Sequence, residues 1–208
     1  MKCILCSGKT EDFNIYRDKQ YKRCIKCSSI MMEEKYYLNS KEEKERYEEH
    51  NNDVYDERYQ AFVYPIVREV LKDYGKKDKG LDFGSGTGPV ITKLLRDNDY
   101  SIDIYDPFFA NDKEKLNEKY DYIVCCEVME HFHDPKFEFR RLKSMLNPSG
   151  ALYLKTEIYD ETTDFDSWNY KSDPTHVFFY HRKALEYIKN EYKFSELEIK
   201  KDVIIYRV

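Results

Sequence analysis

The chain has 208 residues, 41% of them hydrophobic and 36% charged, with a formal net charge of −5. This is the size of one domain with a small appendage, and 16% aromatic residues argue for a packed core over disorder. An acidic balance excludes a general nucleic-acid coat, and no stretch approaches the roughly 20 apolar residues of a membrane helix.

The first 27 residues hold four of the six cysteines: Cys3, Cys6, Cys24 and Cys27. Each pair is Cys-x2-Cys, and 17 residues separate the pairs. One such turn puts two thiolates on a cation, and two turns complete a tetrahedron. Small residues follow each knuckle and permit tight turns. A structural zinc is therefore expected, since four protein ligands leave no open position. Two disulfides are the alternative. They suit this chain less, with two further thiols and an N-terminus that opens into Met1-Lys-Cys without an apolar signal core. A cytoplasmic location is expected on the same grounds. Lys19, Lys22, Arg23 and Lys26 alternate with Phe13, Tyr16 and Tyr21. They could present a small basic aromatic face to RNA, or simply solvate the ribbon while the rings pack beside the metal.

Charge changes sharply near residue 30. Residues 1–30 carry seven basic and three acidic side chains; residues 31–60 carry five and ten. The expected division is a ribbon over 1–30, a charged linker or solvated helix over 31–54, and a main domain over 55–208. Within the linker, Arg46 to Asp53 reads as a solvated helix end. Tyr47, His50 and Asn51 are odd there, so folding over a ligand is the alternative.

From Tyr55, apolar residues recur at three- and four-residue spacing through Leu71, one face of a helix with Pro65 as a kink point and Gly75 as its stop. Gly80–Phe83 is a strand, 89–97 a helix, 101–106 a strand and 122–126 a wholly apolar strand. Asp134 and Pro135 open a helix to Leu146. Asn147–Gly150 reads as a turn and 151–156 as a strand. His181 caps a helix over 182–190, and strands near 195–199 and 203–207 close the chain. Cys125 and Cys126 read as strand core. This alternation predicts an α/β fold, a Rossmann-like doubly wound and mostly parallel sheet.

The glycine loop Leu81-Asp-Phe-Gly-Ser-Gly-Thr-Gly-Pro89 joins a strand to a helix. Its glycines permit a tight turn and close approach of a ligand to the main chain. Gly84, Gly86 and Gly88 are spaced GxGxG, and Pro89 stands where a dinucleotide loop needs its last glycine. No Lys-Ser/Thr follows, so a nucleotide triphosphate loop is absent too. Asp106 ends the next strand, where a carboxylate can grip a ribose diol. Asp103, three residues earlier, faces away.

Together "GLDFGSGTG", "IDIYDPFF", "YDYIVCCEVMEHFHDP" and "LNPSGALYLKTE" resemble the class I S-adenosylmethionine-dependent methyltransferases, and more closely a small bacterial group with an N-terminal zinc ribbon. The resemblance implies that Asp82 lies near the methionine moiety, with Gly84, Ser85, Gly86 and Gly88 as the backbone platform. It implies that Asp106 takes the ribose hydroxyls, with Pro107 beside it, and that Glu127 and Val128 face the cofactor. Glu130 and His131 match a recurring Glu-His pair. His131 is thus a catalytic candidate, or a tie between loop and helix. The loop 156–181 is the expected acceptor wall, with aromatics from Phe165 to Tyr180 facing substrate. His176 within it is the candidate general base, or a hydrogen bond of the loop to itself. One departure stands out: the segment 107–121 is too short for the family's usual helix and strand, so the fold is abridged there. Pro107, Phe108 and Phe109 are candidates for an apolar adenine wall. The expected function is methyl transfer from S-adenosylmethionine to a small molecule. RNA or protein acceptors and a non-catalytic scaffold are the alternatives.

Overall fold

The computed structural model describes residues 1–49 and 52–208. His50 and Asn51 lie outside the described residues. Strands β1 (Thr10–Tyr16), β2 (Lys19–Cys24) and β3 (Ile30–Met32) form an antiparallel ribbon. Its hairpin turns on two left-handed residues, Arg17 (φ 48°) and Asp18 (φ 62°), the twist that suits tight hairpins. Each cysteine knuckle likewise closes on a left-handed serine, Ser7 (φ 57°) and Ser28 (φ 59°).

Helix α1 (Ser40–Glu48) starts at Asn39, whose side chain accepts from the Lys41 and Glu42 amides while Glu42 reaches back. Helix α2 (Glu57–Asp73) is capped by Asp56 and runs unbroken through Pro65, so the expected kink point does not end it. It stops where Tyr74 turns extended.

A six-stranded sheet follows, in the order β5-β4-β6-β7-β10-β9. Strands β4 (Lys79–Phe83), β5 (Ser101–Tyr105), β6 (Tyr120–Cys126) and β7 (Leu146–Lys155) are parallel. Strand β10 (Ile204–Arg207) is antiparallel to both β7 and β9 (Glu196–Ile199). The expected turn at 147–150 is instead a bulge inside β7, because Leu146 pairs with Tyr120 and Ala151 with Tyr122. Between β5 and β6 only one short 3-10 turn forms, Lys113–Asn117.

Helices cover both faces, as parallel strands require. On one face α2 and α3 (Val90–Arg96) bury Val63, Ile66, Val67, Ile91 and Leu95 against Tyr122, Val124 and Tyr153. On the other, α4 (Pro135–Met145) and α5 (Arg182–Glu191) bury Phe139, Leu142, Leu185 and Ile188 against Ile123, Cys125 and Leu152. Cys3, Leu5, Cys6, Cys24, Cys27 and Met31 belong to that second core. The ribbon is therefore no free appendage. Its β3 also pairs with β8 (Phe178–Phe179), giving a four-stranded sheet β1-β2-β3-β8.

Candidate functional site

A cavity of about 800 Å³ opens at the C-terminal ends of β4, β5 and β6. This is where ligands bind in open α/β sheets, and the volume suits a small-molecule site. Gly84 (φ +79°) and Gly86 (φ +63°) turn the chain under it. A Cβ on Gly84 would meet Val128 Cγ2 at 2.5 Å, so glycine is needed for conformation and for space. The Gly86 amide donates to Asp106 Oδ2 at 2.9 Å. Asp106 Oδ1 accepts from the Phe108 and Phe109 amides at 2.8 and 3.0 Å. One carboxylate thus ties together the turns after two neighbouring strands. Ser85, Asp106, Pro107, Glu127 and Val128 all line the cavity.

Asp82 and Gly88, expected near the methionine moiety and in the backbone platform, are not among the residues that line the cavity. Asp82 is 4% exposed and accepts from Thr92 Oγ1 at 2.8 Å, fixing α3 beneath the loop. Burial pushes its carboxyl up to about 6. Gly88 faces the chain before α2: a Cβ there would sit 1.7 Å from Asn52 O. Both act one layer below the cavity.

At the far end, Glu127 follows β6 with φ 53°, a strained conformation for a non-glycine residue, and lines the cavity. Tyr170 Oη lies 3.1 Å from Glu127 Oε2 and contacts Glu130 Oε1, and Thr156 Oγ1 is 2.9 Å away. A phenol has one proton and can donate to only one carboxylate. The other contact needs a carboxyl proton, so the pair holds a proton near neutral pH. Burial pushes Glu127 up to about 7, and burial plus the Glu127 charge pushes Glu130 to about 8. His176 Nδ1 lies 2.7 Å from Tyr170 O, and His131 Nδ1 lies 3.1 Å from Thr175 O. Carbonyl oxygens only accept, so each Nδ1–H donates and each neutral ring carries its lone pair on Nε2. The rings meet edge to face at 4.7 Å, and His176 Nε2 is 4.0 Å from Glu130 Oε1. The structure thus brings both predicted histidines into the cavity. It adds Glu130 and Tyr170 as one network with them. Tyr170 belongs to the loop whose aromatics were expected to face substrate, but nothing in the sequence marked it as the link between two carboxylates.

A raised carboxyl means that the fold favours the neutral acid. Its contribution to stability is complete below 4.5, the ordinary glutamate value, and is lost as pH rises through about 8. Glu130→Gln should flatten this decline. Urea midpoints at pH 5 and 8.5 test it: parallel wild-type and variant curves would refute it.

Unsatisfied polar atoms point to the same place. Among the described residues, four buried side-chain atoms lack a hydrogen-bond partner. Two, Ser85 Oγ and Glu138 Oε2, belong to cavity residues, and a third, Glu130 Oε2, lies behind Tyr170. Buried orphans are uncommon unless a ligand completes them.

Three expectations change. The segment from Arg46 is not a solvated helix end: Glu43, Arg46 and Tyr47 close one wall of the cavity. Arg46 donates to Asp173, Glu43 meets His133 at 3.0 Å, and Tyr47 packs on Phe108 and His131. Next, the aromatics from Phe165 to Tyr180 mostly face the ribbon. Phe165 and Phe179 pack with Phe13, Tyr21, Ile30 and Met32, leaving Tyr170 and His176 for the cavity. Finally, the basic aromatic face is not assembled. Tyr21 is buried, Lys22 is paired with Asp12 and Glu33, and Arg23 with Glu11.

The four ribbon thiols cluster within 4.8 Å of one another. Cys3 and Cys27 Sγ are 3.7 Å apart, and Cys6 and Cys24 are 3.4 Å apart. Zinc–sulfur bonds of about 2.3 Å at tetrahedral angles separate the sulfurs by about 3.8 Å. The Cys3 thiol pulls Cys27 down to about 5 and is itself pushed up. The cluster is compatible with a zinc ribbon.

The doubly wound sheet and its glycine turn define a class I methyltransferase fold. The sequence profile of the methyltransferase domain matches residues 55–198, and the chain belongs to that family. The ubiquinone biosynthesis O-methyltransferase of Actinobacillus pleuropneumoniae serotype 5b is 30% identical over 95 residues, 44% of this chain and 41% of that one. The same-named enzyme of Pseudomonas savastanoi is 28% identical over 93 residues, 44% and 39%. The chain spans about two fifths of the length of these curated relatives. Among solved structures, a 1,6-didemethyltoxoflavin-N1-methyltransferase of Burkholderia thailandensis, with 1,6-didemethyltoxoflavin and S-adenosylhomocysteine bound, aligns at TM-score 0.56 and 13% identity over 95% of this chain and 98% of that one. An S-adenosylmethionine-dependent methyltransferase of Archaeoglobus fulgidus aligns at 0.56 and 15% over 72% and 94%. At these identities the likeness concerns the fold. No described helix is long and apolar enough to cross a membrane.

Proposed function

We propose that the protein transfers a methyl group from S-adenosylmethionine to a hydroxyl or amine of a small molecule. The observation that carries this is the Gly86–Asp106 hydrogen bond, which sets a ribose-binding carboxylate beside a glycine platform in a cavity with unsatisfied polar atoms. The bound cofactor supplies an electrophilic methyl and a neutral thioether leaving group. The chain supplies alignment and a proton acceptor. His176 Nε2 would take the proton that the acceptor's hydroxyl or amine gives up on methylation. Glu130 Oε1 lies 4.0 Å from that nitrogen. His131 holds His176 in place. The relatives named for ubiquinone biosynthesis support a small-molecule acceptor, and Tyr47, Tyr59 and Tyr170 offer it ring surfaces.

The ribbon holds a structural zinc in this proposal. A thiolate zinc site with two further cysteines suits a reducing compartment, which supports a cytoplasmic location. Calorimetry with S-adenosylhomocysteine, and labelled-methyl transfer into small-molecule fractions of host extract, test the function. Tight binding and label in a small molecule are expected. No affinity for the cofactor would sink the proposal; label in RNA or protein would redirect its acceptor.

A further inference from the structure

The short segment between β5 and β6 leaves adenine recognition unexplained. From 107–121, only Pro107, Phe108 and Phe109 reach the cavity. They offer ring surface and no hydrogen-bonding side chain. Helix α4 supplies two polar lining residues. Phe139 packs on Phe132 at 5.9 Å, and Phe132 on Phe83 at 6.4 Å, with Tyr105 beside Phe83 at 5.4 Å. This packing turns Glu138 and Arg141 toward the cavity, next to Tyr105, the residue before Asp106.

The other acidic side chains of the cavity are engaged. Asp106 accepts from three amides, Glu127 meets Tyr170, Glu43 meets His133, Asp173 takes Arg46, and Glu157 accepts from Trp168. Glu138 differs. Its Oε2 is buried without a hydrogen-bond partner among the described residues, although Arg141 Nη1 lies 3.3 Å away. The two attract as charges, but the angle makes no hydrogen bond. A bare acceptor therefore stands beside a donor, one helical turn apart, on the cavity wall.

We propose that Glu138 and Arg141 read the adenine of the cofactor, the carboxylate accepting from the N6 amine and the guanidinium donating to N1. The assignment rests on the cofactor proposed above. Adenine presents a donor and an acceptor side by side on that edge, the complement of this pair. Hypoxanthine presents the reverse, a carbonyl oxygen and an N1–H. It would set oxygen against oxygen and N–H against N–H, leaving buried groups unpaired.

The test is calorimetric titration of the intact protein with S-adenosylhomocysteine and S-inosylhomocysteine, which differ at this edge. Wild type should favour the adenosyl compound by roughly 10- to 100-fold. Glu138→Gln should bring the ratio to within a few-fold, because an amide can present either oxygen or N–H. Thermal denaturation checks that the variant folds. A wild-type ratio near one, or an unchanged ratio in Glu138→Gln, overturns the assignment while the cofactor proposal stands. Wild type binding neither compound overturns both.

Discussion

Asp106→Ala should weaken S-adenosylhomocysteine binding by more than about 100-fold. The carboxylate accepts from the Gly86, Phe108 and Phe109 amides, so its removal leaves three donors without their acceptor. An unsatisfied buried donor costs about 1–3 kcal/mol, and the proposed contact to the ribose diol is lost as well. Both turns that frame the cavity then relax, and a ligand must order them again on binding. Asp106→Asn separates the two effects. One amide oxygen can keep the Phe108 and Phe109 contacts, but an amide nitrogen faces the Gly86 N–H. Its loss should be smaller than that of alanine and still exceed about 10-fold, by the same cost of one unmet donor. The readout is calorimetry, with far-UV circular dichroism to confirm the fold. Affinity within about three-fold of wild type in Asp106→Ala, under 1 kcal/mol, would remove Asp106 from the binding site.

The elements were legible because their signals are local. Asp134 and Pro135 opened α4 where expected, and His181 caps α5 through Nδ1, which accepts from the Lys183 amide. The glycine turn and Asp106 were legible because a tight turn after a strand needs glycine, whatever surrounds it. Tertiary placement was less legible. Nothing local around Arg46 and Tyr47 says which side of the molecule they cover; the Arg46–Asp173 pair spans 127 residues. The aromatic loop misled for a related reason. Ring residues mark a surface that must be covered, and here the ribbon covers it. Phe178 and Phe179 complete the ribbon sheet, so their burial depends on a partner strand more than 140 residues away. Asp82 shows a third limit. Its position in the motif was clear, but Thr92 claims its carboxylate from one helical turn into α3. The proton-sharing pair Glu127 and Glu130 needed Tyr170 to be seen, because only the phenol bridges them.

Removing the ribbon metal should abolish turnover while leaving cofactor affinity nearly intact. Purified protein is expected to hold one zinc per chain. Cys24→Ser or a strong chelator should release it and lower the melting temperature by on the order of 10 °C, because structural zinc contributes several kcal/mol to folding. The effect reaches past the ribbon because the thiols share a core with Phe178, Tyr180, Ala184 and Leu185. The route to the site is a run of backbone bonds. Met32 donates to Val177 O at 2.9 Å, Val177 donates to Glu130 O at 3.0 Å, and Ile30 and Met31 pair with Phe179 and Phe178. His176 is the next residue along. Loosening β3 therefore frees the segment that positions both His176 and Glu130, so methyl transfer should fall by at least 100-fold. Gly84, Gly86 and Asp106 belong to β4, β5 and their turns, which make no such bond to the ribbon, so S-adenosylhomocysteine affinity should change by less than about three-fold, under 1 kcal/mol. Hydrogen exchange should speed up at 177–181 and not at 84–86. Zinc-free protein with full turnover and unchanged protection at 177–181 would show the ribbon and the site to be independent.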